Sequence, residues 1–368
     1  MAETQINEQG FQDGVEQVET ESVKCSSCGS NMVFNADTQT LYCEHCGTTQ
    51  AFDLNTVAKE QDLRLALYQT DNQWSKDETS VFHCDNCGAK VVLSASETAK
   101  ECPFCGTPHV QKVEELAGIK PNAVLPFKFG IDKAILYAKD WAKKRFFAPR
   151  DFKKNLSTEK LHGVYSPCFT FDSQTVSTYH GRIGKTHTRT VGSGKNRRVE
   201  RYVVWRDISG TFCHAYDDVY ITAGTRLDQK QLDKIAPYDT NSSKVYEENY
   251  LLGYMAYHYD KDIEDCWGEA KNIMDASIRR GILSQYSHDR VAYLNVSTTH
   301  QNVTYKYVML PVYVGNYKYH KKVYNFHVNG DTGKVHGKTP KSFWKILLTV
   351  LGIAAVIVGI GYLIYSGM

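Results

Sequence analysis

Eight of the eleven cysteines form four Cys-x2-Cys pairs, a spacing typical of metal binding by thiolates. The pairs form two halves: within each, fourteen residues separate the pairs, and the first cysteines of the halves lie 59 positions apart (84 − 25). Zn²⁺ takes four sulfurs in a tetrahedron, and two pairs facing each other across a hairpin supply them. The sequence therefore predicts two zinc ions, the first held by Cys25, Cys28, Cys43 and Cys46, and the second by Cys84, Cys87, Cys102 and Cys105.

A glycine follows the second cysteine of every pair, at Gly29, Gly47, Gly88 and Gly106. Glycine reaches positive φ without a steric penalty, which suits a sharp turn that points backbone amides at sulfur. A ribbon this small cannot bury a large core, so metal binding must supply most of its folding energy. Because four thiolates leave no coordination position open for water, we expect structural rather than catalytic zinc.

Disulfide bonding and iron are the alternatives to zinc. Disulfides need an oxidising compartment, and the segment from Met1 to Gly10 has neither the basic nor the apolar part of a signal peptide. Iron is a competitor because Cys102-Pro-Phe-Cys105-Gly resembles one half of a rubredoxin site, although the fourteen-residue spacing is shorter than in rubredoxins. Three histidines lie in or beside the pairs and are expected at the rim of the sites, not as ligands: His45, His83 and His109.

An uncharged apolar segment lies at the carboxyl end, from Ile346 to Tyr365, and Thr349 is its only ordinary polar side chain. Twenty helical residues span about 30 Å, the thickness of the hydrocarbon core of a bilayer. The sequence predicts a transmembrane helix over residues 344–365, a single-pass protein of the cell membrane. Four lysines precede the helix and predict that the amino-terminal domains face the cytoplasm: Lys334, Lys338, Lys341 and Lys345.

The predicted fold class is α+β, with two small zinc ribbons, a mixed strand-rich α+β domain and one C-terminal transmembrane helix. Residues 1–120 carry 8 Lys and Arg against 19 Asp and Glu, so the first part is acidic and the remainder basic. The predicted segments are a disordered acidic tail over 1–22, zinc ribbon 1 over 23–50, a helical linker over 51–80, zinc ribbon 2 over 81–112, the α+β domain over 118–340 and the helix over 344–365.

Within the α+β domain, helices are predicted from Ile131 to a stop before Pro149 and over about 262–283. The turn from Asn329 to Gly333 predicts a hairpin. Strands are predicted over 164–171, 175–183, 199–205, 219–222, 291–296, 305–314 and 322–328.

A phosphate-binding loop, G-x4-G-K-[ST], is approached at three places, none of which has every required residue. Each is interpreted as a hairpin turn: Gly184-Lys185-Thr186, Gly192-Ser-Gly-Lys195 and Gly337-Lys338-Thr339.

Other candidate catalytic groups are scattered through the α+β domain. Cys168, Cys213 and Cys266 are interpreted as small buried apolar residues rather than nucleophiles. Neighbouring Cys213 and His214 would face opposite ways on a strand. The adjacent carboxylates Asp217 and Asp218 could bind a metal ion, but the favoured interpretation is that they are solvated.

Two basic segments could bind nucleic acid, or anionic lipid beside the bilayer. One is Lys195-Asn-Arg-Arg198 with Arg201 and Arg206, and the other runs from Tyr317 to Tyr324 and alternates aromatic and charged residues. Proximity to the helix over 344–365 favours lipid over nucleic acid.

Three stretches resemble a poorly characterised family of bacterial zinc-ribbon membrane proteins: Gly163 to Asp172, Leu310 to Lys334, and Lys341 to Lys345 with the helix that follows. The resemblance covers nearly the whole chain, including the cysteine pairs. Some members are labelled after the primosomal replication-restart helicase, which also bears paired Cys-x2-Cys motifs. Because this chain lacks a phosphate-binding loop and two motor domains, only the zinc motifs support that label.

Three functions remain open at this point. The leading hypothesis is a non-enzymatic, membrane-anchored adaptor that docks a cytoplasmic macromolecule, expected to be a protein, through two structural zinc ribbons. The second is nucleic-acid binding through the ribbons or the basic segments, although residues 23–50 carry Lys24 alone against Asp37 and Glu44. The third is an enzyme with an unrecognised site in residues 121–340.

Overall fold

The computed structural model describes residues 23–51, 56–66, 79–94, 102–105, 107, 110–113, 119–154, 161–194, 197–319 and 322–366. The predicted acidic tail over 1–22 lies outside these residues. The strands are β1 (Val33–Asn35), β2 (Thr40–Tyr42), β3 (Thr49–Gln50), β4 (Gln61–Asp62), β5 (Thr79–Cys84), β6 (Lys90–Ser94), β7 (Val110–Val113), β8 (Ala123–Val124), β9 (Leu161–Val191), β10 (Arg198–Thr222), β11 (Lys244–Val245), β12 (Met255–Tyr257), β13 (Arg290–Tyr319), β14 (Lys322–Asn329) and β15 (Val335–Gly337). The helices are α1 (Leu63–Ala66), α2 (Ile131–Lys143), α3 (Arg150–Lys154), α4 (Gln229–Ile235), α5 (Ile263–Ser284) and α6 (Phe343–Ser366).

Two very long antiparallel strands, β9 and β13, form the axis of the molecule. They pair from Leu161 opposite Gly315 to Gly184 opposite Arg290. On its other edge β9 pairs with β12 near its start and with β10 over the rest of its length. The structure thus joins segments that the sequence predicted as separate strands, such as 164–171 and 175–183, into one.

Buried hydroxyl groups explain this continuity. Ser173, Thr175 and Ser177 interrupt the apolar run, yet each is at most 2% exposed and keeps the inward alternation of β9. Their hydroxyls have partners: Ser177 shares a hydrogen bond of 2.9 Å with Thr298 on β13. Hydrogen bonding removes most of the cost of burying these groups, so the strand continues through a segment that composition marks as a break.

The three predicted turns have different outcomes. Gly192 and Gly194 have positive φ values of 90° and 57° and lie in the turn that joins β9 to β10, as predicted. Gly184-Lys185-Thr186 was wrongly predicted as a turn, because it lies inside β9 with Thr186 opposite Val203. Gly337-Lys338-Thr339 was also wrongly predicted as a hairpin turn, because Gly337 ends β15 and α6 follows. The predicted hairpin at Asn329–Gly333 joins β14 to β15.

The core surrounds the Leu161 end of β9. Phe127, Tyr165, Tyr313 and Phe326 are fully buried there, with the rings of Phe127 and Tyr165 4.9 Å apart. At the other end α5 packs on one face of the sheet, where Ile278 and Ile282 contact Ile183 and Leu294. Asp262 caps α5 by accepting a hydrogen bond of 2.8 Å from the Asp265 amide, so this helix begins where the sequence predicts.

Among the described residues of the linker between the ribbons, only the four residues of α1 are helical. The prediction of one helix through residues 51–80 is therefore wrong for the described part, 56–62. Val57 forms a β-bridge with Lys244, while Gln61 and Asp62 pair with Tyr305 and Thr304 of β13. An open sheet edge offers this segment backbone partners, and that overrides its helical apolar pattern.

Candidate metal centres

The eight predicted ligands come together as two groups of four cysteines. Within each group the four sulfur atoms lie within 4.8 Å of one another. In ribbon 1 the Cys25–Cys46 and Cys28–Cys43 sulfur pairs are both 3.5 Å apart. In ribbon 2, Cys84–Cys105 and Cys87–Cys102 are 3.7 and 3.6 Å apart.

These distances match tetrahedral zinc. Four sulfurs at about 2.3 Å from one ion are about 3.8 Å from each other, close to the observed separations. A disulfide would require about 2.05 Å, so the sulfurs are not bonded in pairs. The protein therefore has two four-cysteine zinc sites, and since each is closed by thiolates, the geometry suits a structural role.

The turns behind the sulfurs have the predicted conformation. Gly29, Gly47 and Gly88 have φ values of 72°, 78° and 72°. Each donates its amide to the carbonyl of the first cysteine of its pair, for example Gly29 to Cys25 at 2.8 Å. Gly106 lies outside the described residues. A side chain at these positions would strain the turn that sets the spacing of the two thiolates.

The two sites differ in exposure. Each site has two buried cysteines, but the other two, Cys28 and Cys46, are exposed in ribbon 1, whereas in ribbon 2 Cys87 and Cys105 are only partly exposed. Burial raises the pKa of Cys87 to about 11 and that of Cys102 further. Burial also raises the pKa of Cys43 in ribbon 1, to about 11, so in both ribbons bound metal supplies positive charge that stabilises the thiolates.

Ribbon 1 is docked on the α+β domain through its β1–β2 hairpin. Phe34 is 3% exposed, and its ring lies 5.4 Å from that of Tyr250. The Phe34 amide donates to the Leu252 carbonyl at 2.9 Å, and Asp37 accepts a hydrogen bond from the Gly130 amide. This docking leaves the cysteine turns facing away from the interface.

Ribbon 2 is part of the main sheet. Its strand β6 pairs with β12, placing Val91 and Val92 opposite Tyr257 and Ala256. The ring of Phe104, inside the second cysteine turn, lies 5.1 Å from that of Tyr257. The sequence predicts ribbon 2 as a separate unit over 81–112, but its strands are hydrogen-bonded into the sheet of the α+β domain.

The neighbouring histidines do not enter the clusters of ligand atoms, which contain cysteine sulfur alone among the described residues. His45 is exposed at the tip of ribbon 1, and His83 is partly exposed on β5. His109 lies outside the part of the chain that the structure describes.

The structure also contains a cluster of charged side chains that the sequence did not predict. Lys306 on β13 is 3% exposed, and its ammonium lies 2.9 Å from Asp218 and 3.5 Å from Glu60. Asp218 also accepts a hydrogen bond of 2.7 Å from the Thr240 hydroxyl. The prediction of solvated carboxylates is therefore wrong for Asp218, whose side chain is buried and paired, whereas Asp217 is exposed as predicted. The signal in the sequence was a lysine within the apolar run Tyr305 to Val308, since such a lysine needs a partner when buried.

Glu60, Asp172 and Asp217 place carboxylate oxygens within 4.8 Å of one another beside this lysine. Burial raises the pKa of Asp172 to about 7, and its hydrogen bond with Glu60 adds to the shift. That same hydrogen bond lowers the pKa of Glu60. The pair therefore shares one proton below about pH 7, and the Lys306 ammonium offsets part of the remaining negative charge, so the group acts as a clasp between the linker and the domain.

The other candidate catalytic groups are dispersed. Cys168 and Cys266 are buried as expected, and burial raises the pKa of both thiols. Cys213 is exposed, which corrects its interpretation as a buried residue. His214 lies opposite Thr175, seven residues along β9 from Cys168, or roughly 23 Å at about 3.3 Å per residue. Cys168 and His214 therefore do not form a nucleophile and base pair.

At the other end of the chain, the predicted apolar segment is the helix α6. Its residues Phe343–Tyr362 have a mean hydropathy of 2.3, and none of the apolar window is buried against the protein. The helix is long and apolar enough to cross a membrane. Lys345 fixes its start by donating hydrogen bonds to the Phe146 and Ala148 carbonyls at 3.1 and 2.7 Å.

Comparisons with known proteins agree with this description. Residues 21–52 match the A2L zinc ribbon domain family. The "Uncharacterized protein YdjG" of Bacillus subtilis (strain 168) is 30% identical over 245 residues, which cover 66% of this chain and 70% of the relative. No solved structure gives a significant match. The extent of that alignment shows that the chain belongs to the family of this Bacillus subtilis protein.

Proposed function

We propose that the protein is a non-enzymatic adaptor, anchored in the cell membrane by α6, that docks a cytoplasmic protein through ribbon 1. The supporting observation is the difference between the two zinc sites. Ribbon 2 uses its zinc to complete the sheet, whereas ribbon 1 presents its cysteine turns to solvent. Closed thiolate sites position surfaces rather than perform chemistry, which favours an adaptor over an enzyme.

The proposed docking surface is the tip of ribbon 1. Ser26, Ser27, Glu44 and His45 are exposed there, beside Cys28 and Cys46. The tip has no lysine or arginine, so it is suited to a protein rather than to phosphate groups. The helicase label of some similar proteins forms no part of this proposal.

The orientation follows from the lysines before α6, which favour a cytoplasmic body. Tyr317 packs on Phe152 with ring centroids 5.1 Å apart, near the segment that holds Lys345. The basic stretch from Tyr317 to Tyr324 therefore belongs to the anchored end of the body. We also propose that this stretch contacts anionic lipid headgroups, with a binding free energy of about 1 kcal/mol for each lysine near the surface.

Site-directed photo-crosslinking in native membranes tests the docking surface. A crosslinking residue at His45 should give a specific protein adduct, whereas one at Asp85, an exposed position in the first cysteine turn of ribbon 2, should not. Glu44→Lys on the tip should abolish the His45 adduct while two zinc ions remain bound. No adduct at His45, or the same adduct at both positions, would contradict ribbon 1 as the docking site.

A further inference from the structure

The two-stranded hairpin formed by residues 183–206, here called the distal hairpin, has no assigned role in the adaptor. β13 begins opposite Gly184, so beyond that point no third strand among the described residues pairs with β9 and β10. Residues 183–206 contain seven Lys and Arg against Glu200 alone, a net charge of +6 (7 − 1). This charge marks the hairpin as a site for a polyanion.

We propose that the distal hairpin binds double-stranded DNA. Much of its charge is available to a ligand. Glu200 pairs with Arg189 and Arg198 at 3.1 and 3.0 Å. Among the described residues, Arg197, Arg201 and Arg206 form no ion pair. The two carboxylates at the root of the hairpin also have partners, because Asp207 lies 3.8 Å from Arg182 and Asp289 accepts hydrogen bonds from Thr186.

A cavity of about 280 Å³ lies at the root of the hairpin and has two cations in its wall. The Lys185 ammonium is held in place by a hydrogen bond of 2.6 Å to the Ser287 hydroxyl. The Arg206 guanidinium lies 5.4 Å from the centre of the Tyr286 ring. The cavity is lined by Gly184, Lys185, His187, Val204, Arg206 and Ser287. Two positioned cations in one concave site provide a seat for a backbone phosphate.

Both faces of the hairpin carry positive charge. Lys185 and Arg206 lie on one face, because Lys185 is two residues from Ile183, the partner of Arg206. Arg201, opposite Thr188, lies on the other. The major groove of B-DNA admits a two-stranded ribbon and has phosphates along both walls. A flat membrane surface would meet only one face, and the major groove of duplex RNA is too narrow for a ribbon.

The exposed aromatic side chains of the hairpin pack against other residues of the hairpin. Tyr202 stacks on His187 with ring centroids 5.7 Å apart, and Arg189 lies 5.6 Å from the centre of the Tyr202 ring. Trp205 covers Gly184 on the adjacent strand, where an added Cβ would lie 2.9 Å from the ring. These rings stiffen the ribbon and are less available for stacking on single-stranded bases, so duplex DNA is favoured.

The position of the hairpin also separates it from the membrane anchor. The start of α6 is held beside Phe146 and Ala148, near the Leu161 end of β9. The hairpin tip lies at the other end of this 31-residue strand, whose length along the chain is roughly 100 Å at about 3.3 Å per residue. This separation supports DNA rather than membrane lipid as the ligand of the hairpin.

Fluorescence anisotropy of a labelled 24-base-pair duplex tests this proposal, with the full-length, zinc-loaded protein in detergent micelles. Binding should weaken steeply between 50 and 200 mM salt. The variant R197A/R201A/R206A should bind about 100-fold less tightly at 50 mM salt, with a salt slope smaller by about 2.7. The lysine variant R197K/R201K/R206K should retain binding. As a matched control, K139A/K143A/K230A removes three exposed charges elsewhere and should leave binding unchanged.

Three results would overturn the proposal: no duplex binding at 50 mM salt, equal loss in the matched control, or tighter binding of a single strand of the same length. A fluorescent residue at Ser193, in the hairpin turn, separates DNA from membrane as the ligand. Its emission should respond to duplex and be the same in phosphatidylglycerol and phosphatidylcholine nanodiscs. A change in phosphatidylglycerol alone would instead identify the hairpin as a lipid-binding surface. These results are independent of crosslinking at His45.

Discussion

Replacing Lys306 by Met should strongly destabilise the protein, because it leaves a buried negative charge without its partner. The side chains of Lys306 and Asp218 are 4% and 7% exposed and lie 2.9 Å apart. Removing one member of a buried ion pair costs about 3–5 kcal/mol. For a large domain, each kcal/mol lowers the melting temperature by about 2–4 °C, which gives a fall of about 6–20 °C.

The companion variant Asp218→Asn isolates the charge effect. The double variant K306M/D218N removes both buried charges and leaves only the partly exposed Glu60 without its lysine, and Thr240 can still donate to the amide oxygen. We therefore expect the double variant to recover more than half of the loss caused by K306M alone. Thermal unfolding of the full-length protein in detergent, followed by near-UV circular dichroism, measures both. A fall of less than about 2 °C for K306M, or no recovery in the double variant, would refute the assigned charge pairing.

Three further predictions concern the clasp and the ribbons. In the folded protein Asp172 keeps its proton up to a pKa of about 7, whereas in the unfolded chain its pKa is near the ordinary value of 3.8. The contribution of Asp172 to stability should therefore fall as pH rises from about 4 to about 7. Melting curves of Asp172→Asn should lack this fall. A chelator should remove the zinc of ribbon 1 quickly and that of ribbon 2 slowly, because Cys28 and Cys46 of ribbon 1 are exposed. Equal release rates, followed with a metal-sensitive dye, would contradict this. Phe34→Ala should weaken the docking of ribbon 1 by about 3–5 kcal/mol and speed protease cleavage near residue 51, with two zinc ions still bound.

The zinc ligands could be predicted from the sequence because the chemistry of the site is local. Two thiolates separated by two residues and followed by glycine allow few geometries, and the repeat gave the second site. The helix α5 could be predicted for the same reason, since Asp262 and the apolar period that follows are short-range signals. The apolar helix α6 also needs no partner to be recognised.

The embedding of ribbon 2 and the pairing of Lys306 could not be predicted in this way. Both depend on segments far apart in the chain, such as Glu60 and Lys306, whose meeting is set by the sheet register. The length of β9 was missed because hydroxyl residues inside it resemble a loop by composition. Their buried hydrogen bonds are visible only when the neighbouring strand is known.

The register of the sheet also dictates an order of assembly during synthesis. β4 at residue 62 pairs with residue 304, and the Leu161 end of β9 cannot pair with β13 until Gly315 has been synthesised. Each cysteine cluster, in contrast, is complete within 22 residues (46 − 25 + 1, and 105 − 84 + 1), so it can capture its ion long before the strand that covers it exists. Metal capture should therefore be early and fast, and sheet closure late and slow, as expected when contacts span most of a polypeptide.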